Sequence, residues 1–295
     1  MNGSLFLKKL LYLVISLFIV ITLTFFLMKL LPGDPFAQEQ ALPREIHQAL
    51  RTHYGLDDPW YVQYGRYLKA VVTWDLGPSF KYRNRTVNEI INEGFPVSAA
   101  LGAEALCLAV AAGVLIGSIA AVKQRKWQDN VMLLFTGVGL SIPSFIIATL
   151  LQYLIAYKWQ LLPVARWGTF SQTILPTLAL AALPAAFIAR LVRSNLIEVL
   201  HQDYIKTARS KGLSESRVIL RHGLRNAILP VISYIGQLTA NVLVGSFVIE
   251  KIFSIPGLGY AFVSSVSNRD HTVIMGTTVF YSIILLTAVF LTEIA

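Results

Sequence analysis

Ser233, Gln237 and Asn241 recur at i, i+4 and i+8 inside one apolar run, so on a helix they share a single polar stripe. Ser141 and Ser144 flank Pro143 in another such run, and Gln152 follows them. Hydroxyls and amides of this kind donate and accept hydrogen bonds without carrying charge. That chemistry suits a path that must hold a polar solute and then release it. Hydrogen bonding between helices is the other use for such groups, at about 0.6 kcal/mol each. Nothing in the chain points to catalysis. It has no G-x-x-x-x-G-K-[ST] phosphate loop, no H-E-x-x-H and no nucleophile elbow. Cys107 is the single cysteine, so no disulfide within the chain and no zinc or other metal site is expected.

Apolar runs must position these groups. The chain of 295 residues is 55% hydrophobic and 14% charged, against about 25% charge in an ordinary soluble domain. Six runs account for this: Leu10–Leu31, Pro96–Val122, Val131–Tyr157, Thr173–Ala189, Ile228–Ile249 and Val273–Thr292. A helix crosses a bilayer core with about 20 apolar residues, so the sequence predicts an all-α membrane protein with six transmembrane helices. A large soluble helical core is excluded because its helices would need polar faces, and these have almost none. Only Lys29 and Glu104 place a formal charge inside the runs. The first run is longer than the apolar part of a signal peptide and lacks a small-residue cleavage pattern, so it reads as a retained helix. With the N-terminus in the cytoplasm, thirteen basic residues lie inside and four lie in the short outer connections. The seven in the long segment 32–95 count for little in this rule. The net charge of +9 is therefore mainly topological; the basic residues form no single patch, and no nucleic-acid partner is expected.

The connections carry their own signals. In the outer segment 32–95, "DDPWYVQYGRYLKAV" reads as a helix capped by Asp58 with Pro59 at its first position. Thr86 and Glu89 form a capping box. Trp60, Tyr61, Tyr64, Tyr67 and Trp74 suit the headgroup layer. The segment reads as a small cap on the outer face, or as a docking surface for an external partner. Gly113 and Gly117 allow close helix packing. Pro143, Pro176 and Pro184 predict kinked or broken spans. On the inner side, Asp203–Pro230 holds Lys206, Arg209, Lys211, Arg217, Arg221 and Arg225 against Asp203 and Glu215. It reads as a short helix ending at Gly212, a turn, and a second helix capped by Ser214 that runs from Glu215 to about Asn226. Arg217, Arg221 and Arg225 are expected on one face of the second helix, with Ile219 and Leu220 on the other. Ala208 and Gly212 are small enough to admit another protein. A loop resting on anionic membrane lipid is the plainer alternative.

This segment resembles the cytoplasmic "EAA" loop of binding-protein-dependent ABC importers, specifically of the peptide-permease branch. Further matches run along nearly the whole chain: "LPGDP" at 31–35, "YGLDDPWYVQYGRYL" at 54–68, "DLGPSF" at 75–80, "SIPSF" at 141–145, "RSNLIEVLHQDYIKTARSKGL" at 193–213, "RHGLRNAILP" at 221–230 and "FSIPGLG" at 253–259. Where the general pattern has Glu-Ala-Ala, this chain has Thr207, Ala208 and Arg209, as in the peptide branch. The resemblance implies the first of two permease subunits, a non-enzymatic chain of the bacterial plasma (inner) membrane. Its segments would be a first helix 1–31, an external segment 32–95 and a five-helix core 96–295 with a coupling loop at 190–229. Asp203, Tyr204, Thr207, Ala208, Lys211, Gly212 and Leu213 would then engage an ATPase, and Arg221, Arg225 and Pro230 would pass the motion to the fifth span. Ser233, Gln237, Asn241, Ser141 and Ser144 are the candidate path residues. The implied partners are a second homologous permease subunit, two ABC ATPase subunits that bind the ATP and Mg, and an external substrate-binding protein. The chain itself binds no cofactor. Di- or oligopeptides are the implied cargo, with nickel chelates or glutathione as alternatives. A proton-coupled carrier would need a relay of buried ionisable groups, and Glu104 alone does not supply one.

Overall fold

A helix that crosses lipid must pair its backbone groups within itself, and the long apolar elements among the described residues are helices. The computed structural model describes residues 3–30, 48, 52, 55–82 and 84–294. In order, the helices are α1 (Gly3–Leu30), α2 (Trp60–Thr73), α3 (Val87–Val122), α4 (Trp127–Ser141) and α5 (Ser144–Leu151), the last continued by a π-helical stretch, Gln152–Lys158. Then come α6 (Phe170–Leu200), α7 (Asp203–Ser210), α8 (Glu215–Arg217), a π-helical stretch Val218–Gly223 and α9 (Leu224–Ala227). The last three are α10 (Leu229–Ile252), α11 (Leu258–Asn268) and α12 (His271–Ile294). Among the described residues four helices are long and apolar enough to cross a membrane: Phe6–Leu30, Val87–Val122, Phe170–Leu200 and His271–Leu291. The bent pair Trp127–Ser141 and Ser144–Lys158 makes a fifth if counted as one span. The remaining expected run falls in α10, part of whose side chains lie outside the described residues. The "LPGDP" motif also lies outside them.

The chain divides into two units, Met1–Val97 with Pro256–Phe290, and Ser98–Ile255. In the first, α2 lies against the end of α1. Thr22 and Tyr64 share a hydrogen bond of 2.8 Å, Phe25 stacks on Tyr67 at 5.7 Å, and Lys29 donates to Gln63 Oε1 at 3.0 Å. The N-cap of α2 is Pro59, one residue later than expected. Asp58 is drawn instead to Arg66, at 2.6 Å. The expected capping box opens α3: Glu89 N–H donates to Thr86 Oγ1 at 3.2 Å, and Thr86 N–H to Glu89 Oε2 at 2.9 Å. Asp270, fully buried before α12, gathers the "DLGPSF" loop. It accepts from the Ser79 hydroxyl, from the Phe80 N–H at 3.2 Å and from Thr272 Oγ1 at 2.9 Å. A buried carboxylate is tolerated when hydrogen bonds replace its water.

In the second unit α3 packs closely on α6. A Cβ on Gly117 would lie 2.5 Å from the Ala189 carbonyl oxygen, and one on Gly113 would lie 2.7 Å from Ile188 Cβ. Of the three prolines where a kink or a break was expected, Pro143 marks a break. α6 continues through Pro176 and Pro184, both buried in it. Between α4 and α5, Ile142 and Pro143 are extended and the axis turns by 104°. A proline cannot donate to the preceding turn, and the residue before it is driven to extended backbone.

Candidate functional site

The basic segment begins where α6 ends. His201 and Gln202 join it to α7, a single short helix whose exposed side carries Asp203, Tyr204, Lys206, Thr207 and Arg209. Its other side is sealed. Ile205 is fully buried and Ala208 is 7% exposed; both pack on the fully buried Val218, with Val199, Leu200 and Leu213 around them. Ala208 is therefore turned inward and does not offer the surface for another protein that its size led us to expect. Polar contacts reinforce the packing. Asn226 Nδ2 donates to Tyr204 Oη at 2.7 Å, and Arg209 Nε donates to Glu215 Oε1 at 2.9 Å. The Thr207 hydroxyl is spent on the Asp203 carbonyl at 3.0 Å. Lys211 and Gly212 are exposed at the turn, where Gly212 has φ +76°, a conformation glycine adopts without a Cβ penalty.

The second helix differs from the expectation in three respects. Ser214 occupies the cap position, but its side chain makes no capping bond. The helix widens to π geometry over Val218–Gly223, a form that is rare and often found at functional sites. Leu220 lies out among the basic residues, 66% exposed, while Arg217, Arg221 and Arg225 are exposed as expected. Val218, Gly223 and Ala227 form the inward side, and Ala227 packs with Ala121 and Leu196. Pro230 stands in the first turn of α10, where its missing N–H costs nothing. The whole loop is thus clamped onto the end of α6.

The candidate path residues are less tightly bound. Ser233 and Gln237 are exposed on α10, the former donating to the Leu229 carbonyl at 3.2 Å; the Asn241 side chain lies outside the described residues. Ser141 donates to the Gly137 carbonyl at 2.8 Å, and with Ser144 it borders the break at Pro143. Among the described residues no hydrogen bond joins the two sets. Gln152 has a structural use instead: its Nε2 donates to the Val164 carbonyl at 2.9 Å and the Ile252 carbonyl at 3.2 Å. Glu104 accepts from Thr177 Oγ1 at 3.0 Å.

One constellation has no counterpart in the sequence reading. Asp129, 2% exposed in the first turn of α4, receives the guanidinium of Arg193 from α6. Arg193 Nε meets Oδ1 and Nη2 meets Oδ2 at 2.8 Å, while the Arg125 N–H donates to Oδ2 at 2.8 Å. Arg190 Nε adds a bond to Thr136 Oγ1 at 3.1 Å. Asp129 is buried, but Arg193 keeps 21% of its side chain exposed, so water partly compensates the charge that is left when the other member is removed. In sequence, Asp129 is one acid in the turn "KQRKWQDN"; the spatial return of α6 gives it its ion-pair partner.

Residues 113–295 match the family "Binding-protein-dependent transport system inner membrane component", and residues 4–102 match the N-terminal component of the same systems. The chain belongs to this family. It is a multi-pass protein of the bacterial inner membrane. It is 48% identical over 280 residues to the dipeptide transport system permease protein DppB of Bacillus subtilis, covering 95% of this chain and 91% of that one. It is 46% identical over 266 residues to the oligopeptide transport system permease protein OppB of Salmonella typhimurium, covering 90% and 87%. A crystal structure described as an amino acid ABC transporter with histidines shares the fold, with a TM-score of 0.56 at 18% identity over 70% of this chain and 92% of that one.

Proposed function

We propose that this chain is the first of the two permease subunits of an ATP-driven ABC importer for di- or oligopeptides. The observation that carries the reading is its 43–48% identity, over at least nine-tenths of its length, to permeases named for dipeptide and oligopeptide transport. The chain crosses the inner membrane six times with its N-terminus in the cytoplasm, the broken pair α4–α5 and the helix α10 each counting as one span. Residues 1–31 are the first span, 32–95 the external segment, and 96–295 the core. The core pairs with a homologous permease subunit to enclose the path. Two ATPase subunits bind and hydrolyse ATP with Mg, and an external protein delivers the cargo.

The loop 190–229 couples the chain to the ATPases. The exposed side of α7, with Asp203, Tyr204, Thr207, Lys211 and Gly212, meets an ATPase subunit. Ala208 and Leu213 hold that helix to the following one, and Arg221, Arg225 and Pro230 lie on the route into α10. Ser233, Gln237, Asn241, Ser141 and Ser144 line the path. Such a loop is useful only if it is stiff, since a soft connection would absorb the stroke. The buried Ile205–Ala208–Val218 packing supplies that stiffness.

Reconstitution in proteoliposomes with the second permease subunit, the ATPases and the binding protein tests this. Labelled dipeptide should accumulate with ATP and continue to do so when a protonophore collapses the proton gradient. Accumulation without ATP, or its loss on adding the protonophore, would refute the importer reading.

A further inference from the structure

We propose that the Asp129–Arg193 pair is a joint that carries movement of the cytoplasmic loop to the broken span, with Ile142–Pro143 as the hinge. The inference rests on the importer reading above and adds a positioning residue pair to it. Arg193 lies about two turns before the end of α6, and only His201 and Gln202 separate that end from α7. A push on α7 therefore acts on the turns that hold Arg193. The bidentate contact passes it to the first turn of α4, and Arg190 to Thr136 repeats the attachment further along the same helix.

Beyond the hinge the attachment is different. The π-helical continuation of α5 is tied through Gln152 to the carbonyls of Val164 and Ile252, the latter at the end of α10. Both α4 and α5 pack on α6, but among the described residues the charged fork and the Arg190–Thr136 bond lie on the α4 side of the break. Apolar faces slide over one another, whereas a fork of two charged hydrogen bonds fixes direction. The two halves of one span thus differ in their polar anchors. Between them Ile142 and Pro143 are extended and outside either helix. Relative motion of the anchors is absorbed there, where Ser141 and Ser144 of the candidate path stand.

The test uses the complete complex in proteoliposomes, reading dipeptide moved per ATP hydrolysed, basal ATP hydrolysis and the amount of assembled complex. Asp129→Asn removes the charge but keeps an acceptor for the Arg125 amide. Arg193→Lys keeps the charge but loses the fork. Each should assemble and retain basal hydrolysis while peptide moved per ATP falls about tenfold, the upper part of the range for residues that carry coupling. Exchanging the pair, Asp129→Arg with Arg193→Asp, should recover part of the loss. Unchanged peptide per ATP in Asp129→Asn, or losses in both single variants that merely follow the amount of complex, would overturn the joint. Transport by the wild type with unaltered variants sinks this inference alone. A wild-type complex that moves no peptide on ATP sinks the importer reading and the joint with it.

Discussion

Ala208 was legible as a small residue in a basic loop, but its use was not. Its position in the pattern pointed outward to a partner, whereas the side chain is turned onto Val218 and Ile205. Enlarging it should therefore act on the loop itself. Ala208→Phe overpacks the cluster, at about 1–3 kcal/mol, and tilts α7 away from the helix that follows. Insertion should survive while uptake and binding-protein-stimulated ATP hydrolysis fall together, measured against the amount of protein in the membrane. Stimulated hydrolysis at the wild-type level would show that the inward packing has no part in coupling. Asp129 and Asp270 illustrate why other residues were missed. Each is a single acid in a connection, and its meaning depends on groups 64 and 191 residues away. Hydrophobic periodicity carries no trace of such pairings, because it reports which face is buried and not which polar group is met there.

Elements were more readable than residues. The capping box at Thr86 and Glu89, the turn at Gly212 and the break at Pro143 each have a local cause, and each was found where the sequence placed it. Pro176 and Pro184 carry the same local signal, yet α6 stays helical, because packing against neighbouring helices offsets the lost bonds. The π-helical stretches were not legible, since they differ from α-helix by one residue of register. Gly113 and Gly117 were a weak motif in sequence and are a close contact in the fold. Gly117→Leu should separate α3 from α6, since even a Cβ would lie 2.5 Å from the Ala189 carbonyl oxygen. The expected result is loss of the protein from the membrane fraction rather than a stable but inactive chain. Normal levels of Gly117→Leu would mean that the two helices do not need this approach.

At the scale of the whole molecule, composition alone separated a membrane bundle from a soluble core. The proposed topology rests on the asymmetry of basic residues in short loops. What composition could not give is the proposed relation of the loop to a motor, because such a motor would be another chain. The central claim is that the exposed side of α7 faces the cytoplasm and is gripped by an ATPase. It is tested most directly by a single cysteine at Lys211, on a Cys107→Ser background because Cys107 is exposed, in the assembled complex. The account predicts that a short cross-linker joins Lys211→Cys to an ATPase subunit, and that the yield changes when ATP is added. Labelling of this cysteine in intact cells by a membrane-impermeant thiol reagent, or its cross-linking to the external binding protein, would contradict the account.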